Sequence, residues 1–160
     1  MYFDAWTASA VTHECQALVG GRVQQVVQSD DWGIGLEIYV SPTAQDRRGR
    51  RYYLAATAHP QHARVHLTDA KPRRGVETPS PLLLLLRKHL RGSRVMAVRG
   101  PQFERIVEFE VEAAAGNACT LIVEAMGRHS NLILVDADGS VLDAIKRVGP
   151  KLSRVRPILP

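Results

Sequence analysis

The chain has 160 residues, of which 45% are hydrophobic, and carries a net charge of +5. This length suits a single domain with a substantial core, and the longest apolar run, Leu82–Leu86, is far too short to span a membrane. Two distant cysteines and an N-terminus without a basic and apolar leader exclude a disulfide framework and a secretory signal, so we expect a cytoplasmic protein.

Most of the 21 basic residues are arginines, and the pI is near 9.6. The planar guanidinium group pairs with two phosphate oxygens at once, which makes polyanions the first class of partner to consider. A genome that favours Arg over Lys would produce part of the same bias. Composition therefore points to nucleic acid without establishing it.

The first third of the chain predicts one helix followed by a hairpin. Asp4 suits the N-cap of a helix with one apolar face, and Gly20-Gly21 suits its end. From Arg22 the apolar residues alternate, with a turn at Ser29-Asp30-Asp31. This pattern indicates two half-exposed strands.

The middle of the chain predicts an Arg-rich loop over 42–51, two short strands, and then a basic, proline-rich linker over 69–79, in which we expect Lys71, Arg73 and Arg74 to be mobile. Ser80 and Pro81 suit the N-cap and first residue of a second helix. This helix is apolar all round, so we expect it to be clamped between layers. Arg87 and Lys88 near its end could bind phosphate or simply face the negative end of the helix dipole.

The last third reads as strands. In the run 103–112, alternate residues face inward, and Arg105 has the same parity as that face, so it must lie at the rim of the core or pair with an acid. A central strand over 119–126 follows. The whole chain predicts about nine strands and two helices, an α+β fold with packed sheets and flanking helices.

A polar loop lies between the central strand and the next apolar run. Arg128, His129, Ser130 and Asn131 present a guanidinium, an imidazole, a hydroxyl and an amide together. All four groups can bind phosphate or sugar oxygens. Ser and Asn also commonly satisfy the backbone of a sharp turn, so both interpretations stay open.

The sequence contains none of the common catalytic or cofactor motifs. It has no phosphate-binding glycine loop, no dinucleotide fingerprint and no nucleophile elbow. His59, His62 and His66 would need a helix to share one face, whereas their surroundings read as strand. We therefore predict no catalytic residue, no metal site and no cofactor.

Seven stretches, in order, resemble the N-terminal domain of the NFACT family, which contains bacterial fibronectin-binding protein A-like proteins and the ribosome quality control factor RqcH. The most specific is the Met-Gly-Arg-His-Ser-Asn segment beginning at Met126. The stretches are 3–4, 18–23, 59–68, 85–90, 104–107, 124–135 and 145–148.

The resemblance implies a β-sandwich-like domain with two flanking helices, similar to the N-terminal domain of formamidopyrimidine-DNA glycosylase. It implies an NFACT-N domain over 1–150 and an extended basic arm over 151–160 that leads to domains absent from this chain. Family members bind the large ribosomal subunit obstructed by peptidyl-tRNA. They recruit tRNA, alanyl-tRNA in bacteria, for template-free C-terminal tailing of the stalled chain. No membrane is involved.

The resemblance also implies site residues. The family's Asp-Arg pair, linked to tRNA, falls on Glu104-Arg105, and its Glu-x-Met element, linked to ribosome association, falls on Glu124-Ala125-Met126. Glu104 carries its carboxylate one methylene further out than Asp, and Ala125 is smaller than the usual residue. The predicted RNA-binding residues are Glu104, Arg105, Arg128, His129, Ser130, Asn131, Arg87 and Lys88.

Two alternatives follow from related folds and names. A glycosylase-like enzyme would need an N-terminal proline amine with an adjacent Glu, whereas the chain begins Met1-Tyr2-Phe3-Asp4. A fibronectin-binding surface adhesin would need export, for which the sequence carries no signal. We therefore predict that a rigid β scaffold holds Arg105 close to the corner 126–131 as a grip for RNA.

Overall fold

The structure, a computed structural model, describes residues 3–146. Within them, nine strands form one antiparallel sheet in the order β4-β3-β2-β1-β5-β6-β7-β8-β9, with two α-helices. The predicted α+β class with two helices is confirmed, but where the sequence predicts separate packed sheets the structure has one continuous antiparallel sheet whose two halves share a core. The predicted arm 151–160 lies outside the described residues, and the domain boundary at residue 150 stays a prediction.

The helices are α1, Ala5–Glu14, and α2, Pro81–Leu90. The strands are β1, Arg22–Gln28; β2, Gly33–Val40; β3, Arg50–Thr57; β4, Arg64–Thr68; β5, Arg94–Arg99; β6, Ile106–Glu112; β7, Ala118–Glu124; β8, Asn131–Asp136; and β9, Val141–Ala144. Short 3-10 turns occupy Cys15–Leu18 and Gly127–His129.

The sheet consists of two meanders, β1–β4 and β5–β9. Their junction, between β1 and β5, has the single register pair Arg22 with Arg94. Nearby backbone bonds reinforce it, including Val23 N–H to the Ser93 carbonyl at 2.9 Å. Buried side chains of both meanders, such as Leu54 and Leu132, belong to one core. The two halves therefore bury their apolar faces together.

Helix α1 begins where the sequence predicts. The Asp4 carboxylate accepts a hydrogen bond from the Thr7 backbone N–H at 2.8 Å, which holds the pKa of Asp4 below its usual value. The Gln16 side-chain amide donates to the Val98 carbonyl at 2.8 Å. This bond fixes the end of the helical segment to β5, beside the residues that precede β6.

Helix α2 also has the predicted cap, because Ser80 Oγ accepts from the Leu83 N–H at 3.2 Å. Its buried leucines face the core, whereas Leu84 is 54% exposed. The expectation of a helix clamped on all sides is therefore wrong. One face of α2 covers β1 and β9, and the other face meets solvent.

The segment 69–79, which the sequence predicts to be a linker, lies against the sheet, and the expected mobility of Lys71, Arg73 and Arg74 stays a prediction. The Gly75 N–H donates to the Gln28 carbonyl at 3.0 Å. A Cβ at Gly35 would lie 2.2 Å from the Pro72 side chain, which shows how closely the segment covers β2. Most of β2 is consequently buried on both faces, contrary to the expected half-exposed strand.

Candidate nucleic-acid interface

The corner between β7 and β8 is built by a glycine and a serine. Gly127 has a φ of +61°, in the left-handed region that favours glycine. The fully buried Ser130 hydroxyl donates to the Gly127 carbonyl at 2.6 Å. These two residues close the 3-10 turn and set the direction in which β8 leaves it.

Asn131 fastens the same corner to the end of the described chain. Its Oδ1 accepts from the Leu132 and Lys146 N–H groups at 2.9 and 3.0 Å, and its Nδ2 donates to the Lys146 carbonyl at 2.9 Å. Asn131 is buried. Of the four polar side chains in the loop, Ser130 and Asn131 therefore satisfy the backbone, whereas Arg128 and His129 are exposed and available to a partner.

The structure brings Arg105 to this corner. The Ala125 N–H donates to the Arg105 carbonyl at 2.9 Å, and the next residue, Ile106, pairs with Glu124 in the sheet. Arg105 is half-buried, at the rim of the core as its parity required, and Glu104 beside it is exposed. The backbone of Arg105 therefore lies beside the corner, as predicted, and the side chains of Glu104 and Arg105 are both at least partly exposed.

The element predicted for ribosome association is mostly inside the protein. Glu124 and Ala125 are buried, and Met126 is half-buried. Met126 is thus the one member of this triplet with a side chain well placed to touch a partner directly.

Two exposed aromatic residues that sequence reasoning missed flank a groove next to Glu104. Trp6 on α1 is 80% exposed and Phe103 is 78% exposed. Both line a groove of about 370 Å³ between α1 and the segment that precedes β6. Phe103 also has a φ of 63°, which L-residues with large side chains avoid. The sequence signal that could have predicted this groove is Trp6, an aromatic residue that lies outside the apolar face of its helix.

A lysine joins the corner to the turn between β1 and β2. Lys146 Nζ lies 5.1 Å from the centroid of the Trp32 ring and donates to the Arg128 carbonyl at 3.5 Å. Burial lowers the pKa of Lys146. This cation–π contact adds a third positive group to Arg105 and Arg128 along one edge of the molecule.

Arg87 and Lys88 are not brought to the corner. They lie in the last turn of α2, whereas the first turn of that helix borders Ala144 and Ile145. The Arg87 guanidinium donates to the Val26 carbonyl at 3.3 Å, and Lys88 is exposed. Arg87 therefore ties α2 to β1, and any contact of this pair with RNA would form a separate patch.

Residues 3–146 contain no cluster of metal ligands and no helix that could span a membrane. In this part of the chain, no three His, Cys, Asp or Glu side chains are arranged to hold a metal ion. The helices described there are not long and apolar enough to cross a membrane. The geometry instead groups cations and aromatic rings, which is the chemistry of nucleic-acid surfaces.

Known proteins share both the sequence and the fold. The family described as NFACT N-terminal and middle domains matches residues 4–160. The Rqc2 homolog RqcH of Bacillus subtilis is 31% identical over 100% of this chain, and that of Streptococcus suis is 36% identical over 100%.

Two solved structures resemble the chain closely. The N-terminal domain of the fibronectin-binding protein PavA from Streptococcus pneumoniae has a TM-score of 0.85 at 32% identity, over 99% of this chain and 59% of that one. The N-terminal part of the fibronectin/fibrinogen-binding protein from Streptococcus suis has a TM-score of 0.84 at 35% identity, with the same coverage.

The chain spans 28% of the length of the Bacillus relative and 29% of the Streptococcus suis relative. The match to the family covers nearly all of the sequence, and the relatives align over its whole length. On this evidence, the chain belongs to the NFACT family, whose relatives include RqcH ribosome quality control factors.

Proposed function

We propose that this chain is the RNA-binding N-terminal module of a ribosome quality control factor. In this role it binds large ribosomal subunits obstructed by peptidyl-tRNA and recruits tRNA, alanyl-tRNA in bacteria, for template-free C-terminal tailing. Other domains of the full-length protein would complete the work. Its relatives named RqcH and its basic character support this assignment.

The observation that carries the proposal is the bond from the Ala125 N–H to the Arg105 carbonyl. It holds Arg105 one residue away from a corner that exposes Arg128 and His129. Guanidinium groups bind phosphate through two parallel hydrogen bonds, so this edge suits an RNA backbone. The exposed carboxylate of Glu104 can accept hydrogen bonds from a ribose hydroxyl or a base amino group.

The groove beside Glu104 supports recognition of unpaired bases. Protein aromatic rings stack on bases that are splayed out of RNA loops. Trp6 and Phe103 are almost fully exposed, and large apolar groups grouped on a surface mark places that contact a partner. A tRNA loop held at Glu104 and Arg105 would place its bases against these rings. The half-buried Met126, on the same edge, is the side chain we propose for contact with the ribosome.

Binding of tRNA to the protein in its full natural length tests the proposal. We expect Arg105→Ala and Arg128→Ala each to weaken binding roughly 10-fold, because each removes a charge-assisted hydrogen bond to RNA. The slope of log affinity against log salt should fall by about one for each phosphate that the variant no longer binds. Arg47→Ala is the matched control, because Arg47 is exposed in the β2–β3 loop, at the far end of β2 from Trp32.

Unchanged tRNA affinity in both Arg105→Ala and Arg128→Ala would refute the site. Circular dichroism spectra equal to those of the unmodified protein would show that the fold is retained. Loss of affinity in Arg47→Ala as large as in the other two would mean that net charge, and not this edge, determines binding.

A second candidate function is binding to fibronectin. Two structurally similar proteins carry fibronectin binding in their names. Surface plasmon resonance with immobilised fibronectin tests it, and saturable binding that the exposed Trp6→Ala and Phe103→Ala variants abolish would support it.

The similarity of the fold to the N-terminal domain of formamidopyrimidine-DNA glycosylase stays a prediction.

A further inference from the structure

Three aromatic side chains form a row outside the edge described above. The His59 ring meets the Trp32 ring edge-on, with centroids 6.3 Å apart, and the His62 ring stacks on His59 at 4.9 Å with an interplanar angle of 25°. We call Trp32, His59 and His62 the aromatic row. His62 is exposed, so the stack ends in a ring whose outer face is open to a further planar group.

Hydrogen bonds fix this row before any partner binds. The Trp32 backbone N–H donates to Asp30 Oδ1 at 2.8 Å, and the Gln61 N–H donates to His59 Nδ1 at 3.1 Å. A turn in which the His62 N–H donates to the His59 carbonyl brings the two imidazoles face to face. The strand pattern of the sequence hid this arrangement, because the histidines meet through a turn and not through a shared strand face.

A cavity of about 280 Å³ lies beside the aromatic row, lined by His59, His62, Arg64 and His66. Among buried side-chain nitrogen and oxygen atoms of residues 3–146, His66 Nδ1 lacks a hydrogen-bond partner. Burial, and then the charge of Arg64, lower the pKa of His66. At neutral pH this wall therefore offers an uncharged imidazole next to one permanent cation.

Positive groups lie beside both the histidines and the tryptophan of the aromatic row. Arg64 lines the cavity together with His59 and His62, and Lys146 lies over the Trp32 ring, where its Nζ also donates to the Arg128 carbonyl. The acidic group in the cavity wall, Asp30, is engaged with the Trp32 backbone. Open ring faces between cations bind single-stranded nucleic acid, with bases on the rings and phosphates on the cations.

We propose that the aromatic row is a binding site for a short unpaired stretch of RNA. One base stacks on the outer face of His62 with its phosphate directed to Arg64, and the phosphate of a nucleotide further along the strand is directed to Lys146. The inference rests on the proposed function and deepens it, because it names single-stranded RNA as the form that this surface takes. Duplex RNA keeps its base faces covered and gains only the contacts to the two cations.

Fluorescence anisotropy tests the site with an oligouridylate of about 12 nucleotides and a duplex RNA of about the same length. We expect His62→Ala to weaken single-strand binding about 5- to 30-fold, because it removes one stacking surface. Duplex binding should stay nearly unchanged. His62→Tyr should restore single-strand binding, since a larger ring replaces the imidazole. His89→Ala, a half-buried histidine of α2, is the control and should bind like the unmodified protein.

Several outcomes would overturn the inference. These are single-strand affinity unchanged in His62→Ala, equal losses for single strand and duplex, no recovery in His62→Tyr, and competition by oligoglutamate as effective as by oligouridylate. If Arg105→Ala weakens tRNA binding while His62→Ala leaves the oligonucleotide unaffected, the aromatic row fails and the proposed function stands. If the reverse holds, the aromatic row is supported and the corner is not the tRNA site.

Discussion

Replacement of Asn131 by alanine should destabilise the corner without touching an exposed group. The substitution removes three hydrogen bonds, two to the Lys146 backbone and one to the Leu132 N–H. At about 1 kcal/mol each, and with Leu132 too deeply buried for water to replace the missing partner, we expect the free energy of unfolding to fall by about 2–4 kcal/mol. For a domain of this size, that corresponds to a loss of about 5–12 °C in Tm.

Two measurements check this expectation. Thermal unfolding followed by circular dichroism gives the change in Tm, and hydrogen exchange read by mass spectrometry should show faster exchange at Leu132 and Lys146. Asn117→Ala is the matched control, because Asn117 is an exposed asparagine whose backbone carbonyl bond to Ala113 survives the change. A Tm for Asn131→Ala no lower than that of Asn117→Ala would refute the assigned role of the amide.

Three further expectations follow from local geometry. Burial raises the pKa of Cys15 to about 12 and that of Cys119 to about 11, from 9.0, so native protein should resist alkylation by iodoacetamide until it is unfolded. Because the pKa values of both thiols are raised in the folded protein, the neutral thiols make their full contribution to the free energy of unfolding below pH 9. This contribution is lost as the pH rises towards 11 to 12. A Tm that stays flat across that range would contradict it. Phe103→Asn should raise the free energy of unfolding by up to about 1 kcal/mol, since Asn tolerates a positive φ. The same change should weaken tRNA binding, because the aromatic ring is lost. Unaltered tRNA binding would show that Phe103 is not part of the interface. Gly75→Ala should detach the segment 69–79 from the sheet, because the added Cβ would lie 1.8 Å from the Ser29 carbonyl oxygen. Limited proteolysis should then cleave within this segment. Resistance equal to that of the unmodified protein would show that the segment adapts to the larger residue.

The sequence predicts those features that depend on short-range rules. Asp4 and Ser80 cap their helices as expected, because an N-cap is decided within three residues. The parity of Arg105, counted from Val107, also predicted a position at the rim of the core, and the residue is half-buried just before β6 begins. Local hydrogen bonding and side-chain alternation are sufficient for these assignments.

Features that depend on distant contacts escaped prediction. Leu84 reads as buried from its apolar neighbours, but nothing in the local pattern tells which side of α2 a second layer covers. The segment 69–79 reads as a linker because its anchor, the Gln28 carbonyl, is far away in the sequence. The aromatic row likewise depends on Trp32 and His59 meeting across two strands.

Within the candidate site, chemistry alone left the roles of the loop residues open, and burial divides them. The hydroxyl of Ser130 and the amide of Asn131 are used up by the turn, whereas Arg128 and His129 remain outside. A sequence gives the inventory of donors and acceptors. Only the folded chain shows which of them are already paired.

The narrow junction between the two meanders has a consequence for any ligand that covers both. The corner with Arg105 belongs to the second meander and the aromatic row to the first, and the Lys146 ammonium over the Trp32 ring joins the two meanders a second time, outside the β1–β5 junction. An RNA strand that contacts both sites would bind fully only while the two meanders keep their spacing. The backbone bonds beside the Arg22–Arg94 pair and the shared core hold that spacing, so the two sites meet such a strand in a fixed relation before it binds.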